Sequence, residues 1–147
     1  MTVRPFVAAD FDHIVRRWHE TNLASYRYVA EQQRHTLADA RRFFRDHVLT
    51  TCRIWVAEIE ATPAGMIALE TPWIRHLAVF PEHQRGGLGT ALLHVAQAAS
   101  PHELRLFTFQ RNHGARAFYE RHGFTTVAFG VSPEPEAEPD VEYRWEA

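Results

Sequence analysis

Lysine is absent from the 147 residues: all sixteen basic side chains are arginine. A P-loop of the usual kind would lack the lysine that reaches its phosphates, and a Schiff-base enzyme would lack its nucleophile. Cysteine is nearly absent too. The single thiol, Cys52, excludes an internal disulfide and a multi-cysteine zinc site, and fits a reducing compartment. An excess of one charge is also missing. The 16 basic and 18 acidic residues leave a formal net charge of -2, far from the basic balance that phosphate-backbone binding needs, so no nucleic-acid partner is expected. No apolar run approaches the roughly 18 to 20 residues of a membrane-spanning helix, and the N-terminal stretch mixes acidic and aromatic residues where a signal peptide would be basic and then apolar. No membrane partner and a cytoplasmic location are therefore the expectations. What the chain does have is 46% hydrophobic residues, and a chain of this length buries roughly 68 to 70% of its unfolded surface around one core. One domain over residues 1–147 is expected.

Hydrophobic periodicity orders the elements. Thr2 to Val7 reads as a strand, after which Asp10 can cap a helix carrying Phe11, Ile14, Val15 and Trp18 on one face. A polar stretch with Tyr26 and Tyr28 leads to a second helix, where Thr36 and Asp39 form a capping-box pattern before Leu37, Ala40, Phe44 and Val48. Cys52 to Ile59 suggests a strand, Thr62-Pro63-Ala64-Gly65 a turn, and Met66 to Leu69 the returning strand. Trp73 to Val79 is the next strand, stopped by Pro81, and a helix with Leu88, Leu92, Val95 and Ala99 on one side ends at Ser100-Pro101. Leu104, Leu106 and Thr108 alternate as a strand. Asn112 can cap a helix through His122, with Gly123 as its left-handed C′ residue. Thr125 to Phe129 and Val141 to Trp145 are the last strands, and the acidic, proline-rich stretch 132–140 between them reads as a mobile loop. The order β-α-α-β-β-β-α-β-α-β-β indicates a mixed α/β fold.

Chemistry concentrates where the strand ending at Val79 meets the helix beginning near Leu88. Gly86, Gly87 and Gly89 let the backbone turn and approach a ligand closely, and the helix start offers unpaired N–H groups and a positive dipole end. Such a cradle suits a diphosphate. The spacing is not the G-x-G-x-x-G of dinucleotide folds, and a flexible strand-to-helix turn is the other reading. The ten histidines are scattered, no H-E-x-x-H is present, and no metal is expected.

Two motifs add a resemblance. Gln84, Arg85, Gly86, Gly87, Leu88 and Gly89 satisfy the Q/R-x-x-G-x-G/A signature of the GCN5-related N-acetyltransferase (GNAT) family. The preceding Ile74-x-x-Leu77-x-Val79-x-Pro81 resembles that family's fourth strand. Asn112-x-x-Ala115-x-x-Phe118-Tyr119-Glu120-x-x-Gly123-Phe124 resembles its second motif. The resemblance covers roughly residues 74 to 124. It implies a mostly antiparallel sheet of about seven strands, with strands four and five splayed apart and four flanking helices. It also implies acetyl-CoA as co-substrate and an amine as acceptor, with no metal.

Carried over by position, the resemblance implies that backbone groups of Leu77, Ala78 and Val79 pair with the pantetheine arm as an added strand. It implies a pyrophosphate site at Gln84, Arg85, Gly86, Gly87, Leu88, Gly89 and Thr90, held mainly by the amides of Arg85 through Thr90. Asn112 would bond the pantetheine, or serve only as a helix cap. Tyr119 would sit near the thioester sulfur and assist the leaving thiolate, or be a core aromatic; because helical neighbours cannot both face the core, its adjacency to Phe118 favours the functional role. Several family members place a glutamate or histidine base where this chain has Trp73 and Arg75. Glu70 could act through a water or be a solvated strand end. His76 points away from the face of Arg75 and Leu77 and reads as a packing histidine.

On the acceptor side, Trp73, Arg75, Tyr26 and Tyr28 are the candidate substrate residues. The arginine suits a carboxylate unless it pairs with Glu70, and the acidic loop Glu134 to Asp140 would attract cationic amines unless merely solvated. The expected activity is transfer of an acetyl group to a primary amine of a small molecule or peptide by direct attack on the thioester. The alternative is a non-catalytic acyl-CoA-binding module. The sequence leaves the acceptor and the oligomeric state open, a homodimer among the options.

Overall fold

In the computed structural model, which describes Met1–Ala147, seven strands form one sheet. They are β1 (Thr2–Pro5), β2 (Arg53–Ile59), β3 (Thr62–Glu70), β4 (Trp73–Val79), β5 (Glu103–Phe109), β6 (Thr125–Val131) and β7 (Pro139–Glu146), in the order β1-β2-β3-β4-β5-β7-β6. Every neighbouring pair is antiparallel except β4 with β5. Five helices flank the sheet rather than four. They are α1 (Phe11–Ser25), α2 (Ala30–Gln33), α3 (Leu37–Phe43, continued through a π-helical turn at Phe44–Val48 and a last turn at Leu49–Thr51), α4 (Leu88–Ala99) and α5 (His113–Arg121). The extra helix is α2, a single turn of Ala-Glu-Gln-Gln with no apolar stripe to announce it.

Each face of the sheet carries a core. On one, Ile14, Val15, Trp18 and Phe44 from α1 and α3 pack on Val56, Met66, Ala68 and Ala78. On the other, Leu88, Leu92, Leu93 and Ala96 of α4 and Tyr119 of α5 pack on Ile67, Leu69, Leu104, Leu106 and Tyr143. Each fully buried side chain of this size contributes about 1.5 to 3 kcal/mol, which is why the amphipathic helices hold their places. The Thr36–Asp39 capping box is present, with reciprocal bonds of 3.1 and 2.9 Å. Asp10 does not cap α1 with its side chain: its carboxylate accepts the Val7 N–H and pairs with Arg4, both at 2.8 Å.

The β2–β3 hairpin turns earlier than expected. Ile59 pairs with Thr62, and the turn is Glu60-Ala61, both at positive φ (50° and 64°), the conformation whose twist matches a two-residue hairpin. Thr62 through Gly65 are strand. Gly65 is needed for close packing instead of turning, because a Cβ there would approach the Ala78 carbonyl oxygen to 2.8 Å.

Two irregularities open the sheet near its middle. The β3–β4 register pairs Ala68 with His76 and Leu69 with Ile74, so Arg75 is an extra, bulged residue. Strands β4 and β5 then share only the Trp73–Arg105 position, supported by Arg105 N–H donating to Pro72 C=O at 2.8 Å. Beyond it the strands diverge, and the edges of Leu77 to Val79 and Leu106 to Phe109 face a gap.

Candidate active site

One wall of the gap leads into the glycine-rich loop. Strand β4 ends at Val79, a 3-10 turn covers Pro81–His83, and α4 begins at Leu88. The first backbone bond into α4 comes from Ala91 N–H to Gly87 C=O, at 3.1 Å. The N–H groups of Arg85, Gly86, Gly87, Leu88, Gly89 and Thr90 have no partner in the protein. Arg85 (φ 68°) and Gly87 (φ 84°) adopt the left-handed conformation that curls successive N–H groups into a concave nest. This donor set at the positive end of a twelve-residue helix fits a diphosphate.

The glycines divide their work. A Cβ on Gly87 would meet nothing within 4 Å, so the loop is open there. A Cβ on Gly89 would lie 3.3 Å from the Phe118 ring, so Gly89 serves the packing of α4 on α5 and does not face the cradle's open side. Gln84 is turned to the protein, its Nε2 donating to Val79 C=O at 3.0 Å and tying the loop to the strand end. The Thr90 hydroxyl lies 3.1 Å from His122 Nε2, whose Nδ1 lies 2.8 Å from Phe118 C=O. Because a carbonyl only accepts, Nδ1 carries a proton.

A cleft of about 1360 Å³ extends from the gap toward α1 and α3. Leu77, Leu106, Asn112 and Tyr119 line its inner part. Asn112 caps α5 by accepting Ala115 N–H at 3.2 Å, which leaves its amide NH₂ available. Tyr119 is 8% exposed, and burial pushes its phenol above the ordinary value, so the proton is held at neutral pH. Both Phe118 and Tyr119 reach the core, contrary to expectation. Helix α5 lies in a groove where Phe118 covers Gly89 and Tyr119 packs on Phe124 and Tyr143, so two adjacent faces are buried.

The acceptor-side candidates are dispersed. Arg75 and Tyr26 line the cleft, whereas Glu70, Trp73 and Tyr28 do not. Glu70 accepts from Arg75 Nε at 2.9 Å, both side chains being more than 40% exposed. Trp73 stacks on Phe107 (5.3 Å, 5° between planes), with the Arg75 and Arg105 guanidiniums over its ring at 5.0 and 5.2 Å. Arg75 is thus already neutralised and seated. Tyr26 packs edge-on to Phe109 at 5.1 Å, and burial, with Tyr28 and Glu136 nearby, pushes its phenol up to about 12. Tyr28 lies under Arg111 at 4.4 Å. His76 faces Trp18 and Phe43, and burial helped by Arg75 pushes it down to about 4.

The acidic stretch is tied down where a mobile loop was expected. Ser132 N–H donates to Glu138 C=O at 2.9 Å, Glu138 N–H to Ser132 Oγ at 3.0 Å, and the Glu138 carboxylate takes both arms of Arg111. Pro139 and Asp140 belong to β7. The polar-apolar alternation of Asp140-Val141-Glu142-Tyr143 extends the last strand back to Asp140, which the expected loop Glu134 to Asp140 had included.

Residues 50–126, just over half of the chain, match the family model described as "Acetyltransferase (GNAT) domain". The uncharacterized N-acetyltransferase YafP of Escherichia coli (strain K12) is 39% identical over 79 residues, 54% of this chain and 50% of that protein. The peptidyl-lysine N-acetyltransferase YiaC of the same organism is 33% identical over 84 residues, 56% of this chain and 57% of that protein. The matched region thus spans about half the length of each curated relative. The fold is shared over nearly the whole length with the apo solution structure of Escherichia coli YjaB, with a TM-score of 0.81 at 21% identity, covering 98% of this chain and 96% of that one. An acetyltransferase from Thermus thermophilus superposes with a TM-score of 0.77 at 21% identity, over 100% and 98% of the chains. Motif, model and fold agree: the chain belongs to the GNAT acetyltransferase family.

Proposed function

We propose that the chain transfers an acetyl group from acetyl-CoA to a primary amine of a small molecule or a peptide. The observation that carries this reading is the run of six unpaired N–H groups, Arg85 to Thr90, beside a sheet edge left open between β4 and β5. A thioester supplies an activated acyl group with a good leaving group. The amides of Arg85 to Thr90 bind the pyrophosphate. The backbone of Leu77, Ala78 and Val79 bonds the pantetheine as a strand, with one lone pair of the Val79 carbonyl already taken by Gln84. The spare amide NH₂ of Asn112 bonds the same arm. A free backbone N–H of β4 on the gap side stabilises the developing oxyanion.

Tyr119 donates its proton or a hydrogen bond to the departing sulfur. A thiolate of pKa about 8.5 is a weaker base than this phenolate, so the hydrogen bond carries most of the effect. Glu70 is bound to Arg75 outside the cleft, which leaves the amine to lose its proton to water as it enters. The same engagement of Glu70 favours the rival reading, a non-catalytic acyl-CoA binder. The name of the peptidyl-lysine relative supports a peptide amine as one acceptor.

The test is thiol release from acetyl-CoA with pooled small amines and lysine peptides. Amine-dependent release is expected, together with a rise of Tm with acetyl-CoA concentration. Tyr119→Phe should lower kcat roughly 10- to 100-fold, the worth of a hydrogen bond to a charged group, with acetyl-CoA affinity unchanged. A Tm shift without release for any amine establishes the rival; no Tm shift sinks both.

A further inference from the structure

Four carboxylates lie between residues 136 and 142, and three are satisfied. Glu136 accepts from Gln32 Nε2 at 2.6 Å, Glu138 takes Arg111 at 2.8 and 2.9 Å, and Glu142 takes Arg105 Nη2 at 2.5 Å. Asp140 is different. It is 8% exposed, lines the cleft, and its carboxylate receives no hydrogen bond from any other residue; Gln110 reaches only its backbone carbonyl, at 2.9 Å. Arg42 and Arg75, the arginines that line the cleft, are paired with Asp39 and Glu70. The carboxylate opens on the cleft with no protein cation bound to it, and partial burial together with Glu136 and Glu142 raises its pKa.

Its surroundings are shaped for a guest. Asp140 stands opposite Phe109 on β5 and Gly130 on β6. Gly130 leaves that flank bare, since a Cβ there would come within 3.2 Å of Asp140 Oδ1. On the other side Phe109 and Tyr26 present aromatic surface to the cleft, suited to an alkyl chain and to a cation. Strand β7 is β5's neighbour on the side away from the gap, so at about 4.8 Å per strand the carboxylate lies roughly 7 to 10 Å from the gap's centre. A reacting amine must shed its proton, and a carboxylate bound to it would oppose that. A second ammonium group keeps its charge throughout and has no such conflict.

We propose that Asp140 anchors the far ammonium group of an aliphatic di- or oligoamine acceptor, whose other amine reaches the β4–β5 gap. This rests on the acyl-transfer reading above and names its acceptor class. The test is calorimetry on the full chain saturated with CoA, which cannot turn over, using 1,4-diaminobutane and 1-aminobutane as probes. The diamine should bind at least tenfold more tightly, and Asp140→Asn, near-isosteric and checked for an unchanged fold by its Tm, should erase the difference. In the native chain the Asp140 carboxyl carbon resonance should move with the diamine and not with the monoamine. Equal binding of the two amines, a preference that survives in Asp140→Asn, or an unmoved resonance overturns the proposal. Thiol-release assays separate the two readings. Asp140-dependent diamine binding without release leaves the anchor and removes the transferase, whereas release with both amines at equal kcat/KM in native and variant chains leaves the transferase and removes the anchor.

Discussion

The two ends of the cleft are built on opposite plans. At the cradle, recognition is left to the backbone: six N–H groups stay unpaired and the side chains of Gln84 and Thr90 are turned to internal partners. At the acceptor end it is left to side chains, and nearly all are engaged with one another, Arg75 with Glu70, Trp73 with Phe107, Glu142 with Arg105. A backbone site depends on conformation and is indifferent to pH. A side-chain site depends on which charges find partners. The contrast can be tested from both ends.

The largest effect is expected at the cradle. Gly87→Val puts a branched side chain on open surface at φ 84°, and losing two charged hydrogen bonds of about 1.5 to 3 kcal/mol each should weaken acetyl-CoA binding at least a hundredfold. Gly89→Val should act otherwise. It overpacks the Phe118 ring and lowers the unliganded Tm at a cost of about 1 to 3 kcal/mol. Equal losses of ligand-induced stabilisation in the two variants would collapse the distinction between cradle and packing glycine.

The next effect belongs to the acceptor end. With His76 held near 4 in the fold against an ordinary value of 6.5, the folded chain binds fewer protons than the unfolded chain between those values. Stability is therefore complete above pH 6.5 and is lost as pH falls toward 4. The slope is about 1.4 kcal/mol per pH unit and the total at most ~3.5 kcal/mol. Denaturant titrations from pH 7 to 4 should show that slope, and His76→Gln should flatten it. A slope that persists in the variant would mean the loss arises elsewhere. The smallest effect is a control remote from both ends: Ala61→Gly relieves a left-handed alanine and should raise stability by about 1 kcal/mol.

This contrast also explains what the sequence disclosed. The strands, the capping box at Thr36, the Asn112 cap and the left-handed Gly123 are local events, each specified by residues a few positions apart. The cradle is equally local, and so was legible. The acceptor end was not, because its pairings join residues far apart in the chain: Arg111 to Glu138, Gln32 to Glu136, Arg105 to Glu142. The misplaced hairpin turn has the same origin. Pro63 and Gly65 carry turn chemistry, but Gly65 answers to the Ala78 carbonyl on another strand.

The divergence of β4 from β5 has a consequence for solubility. Exposed strand edges invite pairing with other chains, and this sheet has four of them. The two inner ones face each other across the cleft, flanked by helices, so a foreign strand meets walls before it meets the edge. Of the outer two, β1 is only four residues long and ends in a proline. Strand β6 has neither protection: all seven residues are exposed, Val127, Phe129 and Val131 at 47%, 60% and 64%. Aggregation of this chain should therefore begin at the outer edge of β6, while the open seam in mid-sheet stays guarded by its own geometry.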